Sequence, residues 1–135
     1  MSDKLLDVEI VSPEKYIYRG KAQSVSVPGS LSPFEILYNH APIFSILDPG
    51  IIKIVEESGS PVLFAVRSGF VEVLNNSVSI VVERIASKEE LNSIDINLNI
   101  ENLNTLIHNS KYDKQEDIQK DILYEQSKLK VLKSE

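Results

Sequence analysis

The chain contains no cysteine and no tryptophan, and only two histidines among its 135 residues. Without cysteine, disulfides, thiolate chemistry and thiolate-bound metals are excluded. His40 and His108 stand far apart in sequence, which argues against a histidine-based metal site, so neither a metal nor a cofactor is expected. A net charge of −6 argues against a nucleic-acid surface. Neither part of the chain offers a basic patch: residues 1–86 carry 7 basic and 10 acidic side chains, and residues 87–135 carry the same. No apolar run approaches the roughly 20 residues needed to cross a bilayer. The opening "MSDKLLDVEIV" lacks both the apolar core of a secretory signal and the arginine-rich character of a transit peptide. The expectation is a soluble chain whose membrane association, where it occurs, is peripheral.

Proline and glycine are missing from the last 66 residues: all six prolines lie at or before Pro61 and all five glycines at or before Gly69. Both residues punctuate turns. The first part therefore reads as many short elements and the last as a few long ones.

What is present in the first part is alternation. Leu6, Val8 and Ile10 face one way and Asp7 and Glu9 the other, the mark of a half-buried strand. Val25 and Val27 alternate with Ser24 and Ser26 before a Pro28-Gly29 turn. Gly50–Glu57 reads as a strand ended by Ser58-Gly59-Ser60-Pro61. Val62–Leu74 follows, with Gly69 as a bulge or bend. Asn75-Asn76-Ser77 closes a hairpin, because asparagine tolerates positive φ, and Val78–Glu83 pairs back. Roughly eight to ten short strands at regular spacing predict a β-sandwich of about ten strands.

The pattern changes at "ASKEEL". Ser87 and Glu90 have the spacing of a capping box. Ile96, Ile100, Leu103 and Ile107 then recur at helical spacing until Asn109-Ser110. Asp113 and Glu116 offer a second box-like start, followed by an apolar stripe of Ile118, Ile122, Leu129 and Leu132 that Glu125 interrupts. The expected fold is mainly β with an α appendage: a sandwich over 1–86 and a two-helix hairpin over 87–135. Asn97, Asn99, Asn102 and Asn104 each cost the first helix about half a kcal/mol relative to alanine. That helix must depend on tertiary contacts.

One stretch stands apart, "PFEILYNHAPIF", where His40 sits in a tight polar knot between two strand-like runs. Catalysis by His40 needs a partner nucleophile or carboxylate, and no nucleophile elbow or paired acidic motif accompanies it. The five glycines are isolated and form no phosphate-cradling loop. Read from its residues alone, this is an interaction protein and not an enzyme.

Three segments, "VEIVSPEKYIYRGKAQSVSVPG", "FEILYNHAPIFSILDPGIIKI" and "AVRSGFVEVLNNSVSIVVE", resemble in order and spacing the epsilon subunit of rotary F-type ATP synthases. The likeness rests on Gly20-Lys21-Ala22, Pro28-Gly29, Asn39 to Pro42, Leu47-Asp48-Pro49-Gly50 and Ser68 to Asn76. The resemblance implies a non-catalytic central-stalk subunit packed against gamma and resting on the c-ring, peripheral on the cytoplasmic face of a bacterial inner membrane. It makes Phe34, Glu35, Asn39, His40, Ala41 and Pro42 the contact loop. It gives the hairpin a regulatory role, reaching the alpha and beta catalytic subunits through basic residues near its end, here Lys128, Lys130 and Lys133. Read as residues alone, those lysines form an ordinary solvated face. Family members that bind ATP on the hairpin carry Ile-Asp-x-x-Arg-Ala. This chain keeps Ile94 and Asp95 but has Leu98 for the arginine and Asn99 for the alanine, so no nucleotide site is expected. Glu35 and Ser68 stand where the family often has glycine. The competing reading is a free-standing β-sandwich that binds carbohydrate or a protein ligand. The missing tryptophan and the scattered aromatics tell against carbohydrate.

Overall fold

The computed structural model describes residues 4–134, without the Tyr112 and Asp113 side chains. The box-like start read at Asp113 therefore lies outside the described residues. Seven strands come first: β1 (Leu6–Val11), β2 (Tyr16–Val27), β3 (Phe34–Leu37), β4 (Ile43–Leu47), β5 (Gly50–Glu56), β6 (Pro61–Leu74) and β7 (Ser77–Ser87). One 3₁₀ turn, Lys88–Glu90, leads to α1 (Ser93–His108) and α2 (Tyr112–Lys133).

The expected count of about ten strands is too high, because three strands are long enough to serve both layers. β2 pairs with β1 through Tyr16–Ala22 and with β3 and β5 through Ala22–Val27. The first half of β6 pairs with β5, the second half with β4. β7 follows β6 along nearly its whole length. One layer thus holds β4, late β6, early β7, β1 and early β2. The other holds β3, late β2, β5, early β6 and the end of β7. Bulges turn the strands from layer to layer without ending them. In β6 the extra residue is Arg67, since Val66 pairs with Ile85 and Ser68 with Arg84. Gly69 follows, where an added Cβ would lie 2.2 Å from the Val81 carbonyl oxygen. No other residue fits there without moving backbone.

The inward residues of both layers form the core. Leu6, Ile10, Val25, Ile36, Ile52, Ile54, Val71 and Ile80 are fully buried. Each such aliphatic side chain contributes about 1.5–3 kcal/mol on burial.

The hairpin lies on the outer side of the second layer. Tyr124 and Val131 of α2 bury Ala65, with Ile51, Leu63 and Leu91 packed around them. Ser87 and Glu90 do pair: the Ser87 amide donates to Glu90 Oε1 at 2.9 Å. They close only the 3₁₀ turn, however, and α1 starts later. Leu91 and Asn92 are extended, which lets Leu91 join the Ala65 cluster. Asn92 is the N-cap, its Oδ1 accepting from the Ile94 amide at 2.9 Å.

The stripe expected on α2 exists, with Ile118 and Ile122 buried and Leu129 and Leu132 half-buried. Glu125 does not break it. It is buried, and its Oε1 accepts from Asn99 Nδ2 of α1 at 3.1 Å. One of the costly asparagines of α1 therefore satisfies a buried carboxylate. A second row, Asp121, Tyr124, Lys128 and Val131, has the same 3–4 spacing and adjoins the sandwich side.

Candidate functional site

The knot is a turn closed by the His40 amide donating to the Leu37 carbonyl at 3.0 Å, with Asn39 at φ 64°. Asparagine is one of the few residues that adopts this left-handed conformation readily. Across from it, Asn75 and Asn76 have φ 49° and 65° at the tip of the β6–β7 hairpin, the two positive angles that such a turn requires. The two tips clasp. The Asn39 amide donates to Asn76 Oδ1 at 2.6 Å, and Asn76 Nδ2 donates to Asn39 Oδ1 at 3.3 Å.

His40 donates from Nδ1 to the Ala41 carbonyl at 2.7 Å, and its ring lies 6.2 Å from that of Phe34. No carboxylate or nucleophile is among these partners. Ala41 and Pro42 are exposed and lead into β4. The fold thus brings Phe34, Asn39, His40, Ala41 and Pro42 together. Glu35 does not join them. It is exposed on β3 opposite Ser26, on the side where Lys130 of α2 also stands. Among the described residues no three His, Asp or Glu side chains cluster to hold a metal ion.

Next to the knot lies an apolar surface that the sequence reading missed. Phe44 and Ile46 of β4 are 59% and 53% exposed, and Leu74 of β6 is 51% exposed. The Phe44 and Phe70 rings stack at 5.1 Å. Phe44 pairs with Glu72 and Ile46 with Phe70, so these side chains share the outer face of the first layer. The signal was in "IFSIL": a strand with apolar residues on both parities has two faces to cover. Farther across the same face, Lys21 pairs with Asp7 and Arg19 with Glu9, each at 2.8 Å.

On the hairpin, Ile94 and Leu98 are 70% and 52% exposed, and Asp95 is exposed with them. Lys128 is not a free cation. Its Nζ donates to Glu125 Oε2 at 2.8 Å and sits 4.5 Å from the centre of the Tyr124 ring. Burial pushes the Tyr124 phenol up to about 12. Lys130 and Lys133 are exposed. Lys88 Nζ donates to the Ser134 carbonyl.

Asp121 of α2 meets the sandwich. Its Oδ1 accepts from Arg67 Nε at 2.6 Å and Arg84 Nη2 at 2.5 Å. Burial opposes its ionisation, but the hydrogen bonds and charges of the two arginines outweigh burial and hold its carboxyl below the usual value. Arg67 also donates to Glu83 Oε1 at 3.5 Å, and Ser68 Oγ to the same oxygen at 2.8 Å.

Residues 5–88 match the family model described as ATP synthase, Delta/Epsilon chain, beta-sandwich domain. The chain is 43% identical to the ATP synthase epsilon chain of Leptospira interrogans over 104 residues, 77% of each chain. It is 41% identical over 87 residues to that of Leptospira borgpetersenii, covering 64% of this chain and 67% of the relative. Its fold is similar to a chain in the Euglena gracilis mitochondrial ATP synthase structure that holds OSCP, F1 and the c-ring. That likeness has a TM-score of 0.80 at 16% identity and covers 96% of this chain and 82% of the other. The family match spans the whole sandwich and the Leptospira likeness runs beyond it, and on these grounds the chain belongs to the delta/epsilon family of ATP synthase subunits.

Proposed function

We infer that this protein meets gamma with the outer face of its first layer, while the knot carrying His40 sits at the foot of the stalk against the c-ring. As an epsilon-type chain it is a non-catalytic subunit of the central stalk of the rotary ATP synthase. The observation that carries the docking reading is the exposed group of Phe44, Ile46 and Leu74, with half-buried Phe70 stacked on Phe44, beside a turn braced by Asn76. Apolar and aromatic side chains at the centre with a polar rim are what a protein interface uses. A knot already clasped loses little conformational freedom on docking, and a rigid sandwich transmits torque without yielding.

The membrane is reached through the complex. Among the described residues no helix is long and apolar enough to cross a bilayer. The cytoplasmic face of a bacterial inner membrane is the location we favour, in keeping with the Leptospira relatives. Nothing supports a free-standing binding module.

We divide the chain into a docking sandwich, 1–86, and a regulatory hairpin, 87–135, that restrains ATP hydrolysis when it leaves the sandwich and reaches the alpha and beta subunits. Lys130 and Lys133 stand ready for acidic surfaces in the docked form, and Lys128 joins them once its pairing with Glu125 opens. The hairpin holds no ATP of its own. Leu98 donates no hydrogen bond where an arginine would give charge-assisted ones worth about 1.5–3 kcal/mol each, and residues 87–135 contain no arginine. Calorimetry with ATP is expected to show no binding in the micromolar range.

The deciding experiment is reconstitution with gamma, the catalytic subunits and the c-ring, with and without residues 87–135. Both forms are expected to assemble, and the shortened form to hydrolyse ATP faster. Failure of the full chain to join gamma would sink the docking reading, and equal hydrolysis rates would sink the regulatory one.

A further inference from the structure

Two of the three arginines in the chain converge on one oxygen of the hairpin. Arg67 is the extra residue of the β6 bulge, and Arg84 is the partner of the next residue, Ser68. A bulge re-aims a side chain out of the regular alternation, and here it lets Arg67 reach α2. Its side chain is only 13% exposed, and it also donates from Nη2 to the Asp117 carbonyl at 3.4 Å. The rest of the α2 contact is centred on the apolar cluster of Tyr124 and Val131 over Ala65, with Arg84 5.6 Å from the centre of the Tyr124 ring and Lys88 bonded to the Ser134 carbonyl at the far end.

We propose that Asp121 is the catch of the docked hairpin, held by Arg67 and Arg84, and that losing its charge frees α2 while the sandwich stays folded. The regulatory consequence rests on the role proposed above for the hairpin. The catch itself does not, because it is a property of the isolated subunit. The physical basis is the cost of breaking one side of a part-buried ion pair. A neutral carboxamide in place of the Asp121 carboxylate keeps an acceptor oxygen but removes the charge, leaving Arg67 with Glu83 at 3.5 Å as its one carboxylate among the described residues, a loss greater than that of an exposed surface pair. α1 offers no substitute hold, since it packs on α2 and reaches it through Asn99 and Glu125. The catch is also selective: it sits at one end of the α2 contact and touches none of the inter-sheet core.

The lack of native cysteine supplies the test. Ala65→Cys places one thiol under Tyr124, and Ala22→Cys places one inside the sandwich core, both at positions with no exposure. Labelling of such a thiol by a disulfide reagent proceeds through the open state, so its rate reports opening even when that state is rare. Asp121→Asn is expected to speed labelling at position 65 by about tenfold or more, the factor set by one charge-assisted hydrogen bond. Position 65 should label faster than position 22 in both forms, because position 22 is reached only when the sandwich itself unfolds, and the acceleration at 22 should not exceed that at 65. In the parent, added salt should speed labelling at 65, because it screens the pair. In Asp121→Asn that salt effect should shrink, which a merely structural role would not produce. Arg84→Gln, which removes the more exposed arm, should give a smaller acceleration in the same sense. Unchanged labelling at 65 overturns the catch, and so do equal absolute rates at 65 and 22, which would mean that both open only by global unfolding, or a larger acceleration at 22 than at 65, which would mean that the sandwich itself was destabilised. Faster labelling at 65 with unchanged ATP hydrolysis by the complex supports the catch and removes the regulatory role.

Discussion

Asn39 and Asn76, both at positive φ, brace each other across two loop tips through an amide-to-carboxamide bond of 2.6 Å and a return bond of 3.3 Å. Replacing Asn76 by glycine keeps the backbone angle and removes both bonds. The expected loss is about 0.5–1.5 kcal/mol per bond, read as a lowered urea midpoint with unchanged slope. Asn76→Ala should cost about 1 kcal/mol more, because alanine resists φ 65°. Equal stability of the two variants would show that the turn does not need its left-handed angle.

His40 and Phe44 separate binding from folding. His40 is half-exposed and holds only the next carbonyl, so His40→Ala should leave the stability of the isolated subunit within about 0.5 kcal/mol. Phe44→Ser removes one ring of the Phe44–Phe70 pair and should cost the fold about 0.5–1.5 kcal/mol. Its effect on gamma binding should be larger, about 2 kcal/mol or more if the ring lies at the interface centre. Calorimetry with isolated gamma measures this. Unaltered affinity would move the interface elsewhere.

The fragment 1–86 is expected to fold alone, because its core lies between its own two layers. Its weakness is the uncovered patch of Ile51, Leu63 and Ala65, which should make it less soluble than the full chain. A random-coil circular dichroism spectrum from this fragment would refute the division at Ala86.

Docking of the hairpin should be insensitive to pH through the neutral range as far as Asp121 is concerned. Its carboxyl is held below the ordinary value of 3.8 by Arg67 and Arg84, which stay charged, with Glu83 the other carboxylate on the cluster. A depressed carboxylate contributes fully above its unfolded value and loses its contribution as pH falls through the folded one. Docking should therefore hold from about pH 8 to 5 and weaken only below about 4. The Ala65 methyl resonance, shifted by the Tyr124 ring, follows it. A docking transition near pH 6 that Asp121→Asn abolishes would contradict this sign.

The sandwich was legible because alternation and turn residues are local. Leu6, Val8 and Ile10 against Asp7 and Glu9 report a buried and a solvated face without any knowledge of neighbours. Asn75-Asn76 and Asn39 report turns through backbone preferences carried by single residues. The resemblance in "NHAP" and its neighbours added the family, which pattern alone does not supply.

What depended on tertiary structure was everything set by two distant segments meeting. Strand number was overcounted because a bulge bends a strand without ending it, and only pairing across the layers distinguishes the two. Glu125 read as a flaw in an apolar stripe because its partner, Asn99, lies on another helix that counted against itself by propensity. Lys128 read as a free cation because Tyr124 and Glu125 become its neighbours only when the helix forms. The local signal at Ser87 and Glu90 was real, yet Leu91 packing on Ala65 moved the helix start beyond it. Residue type and spacing thus determined which backbone conformations and faces this chain prefers. The ion pairs of Asp121 and the exposed row at Phe44 were decided by the packed fold, because charge pairing and burial are properties of neighbours in space and not of position in the chain.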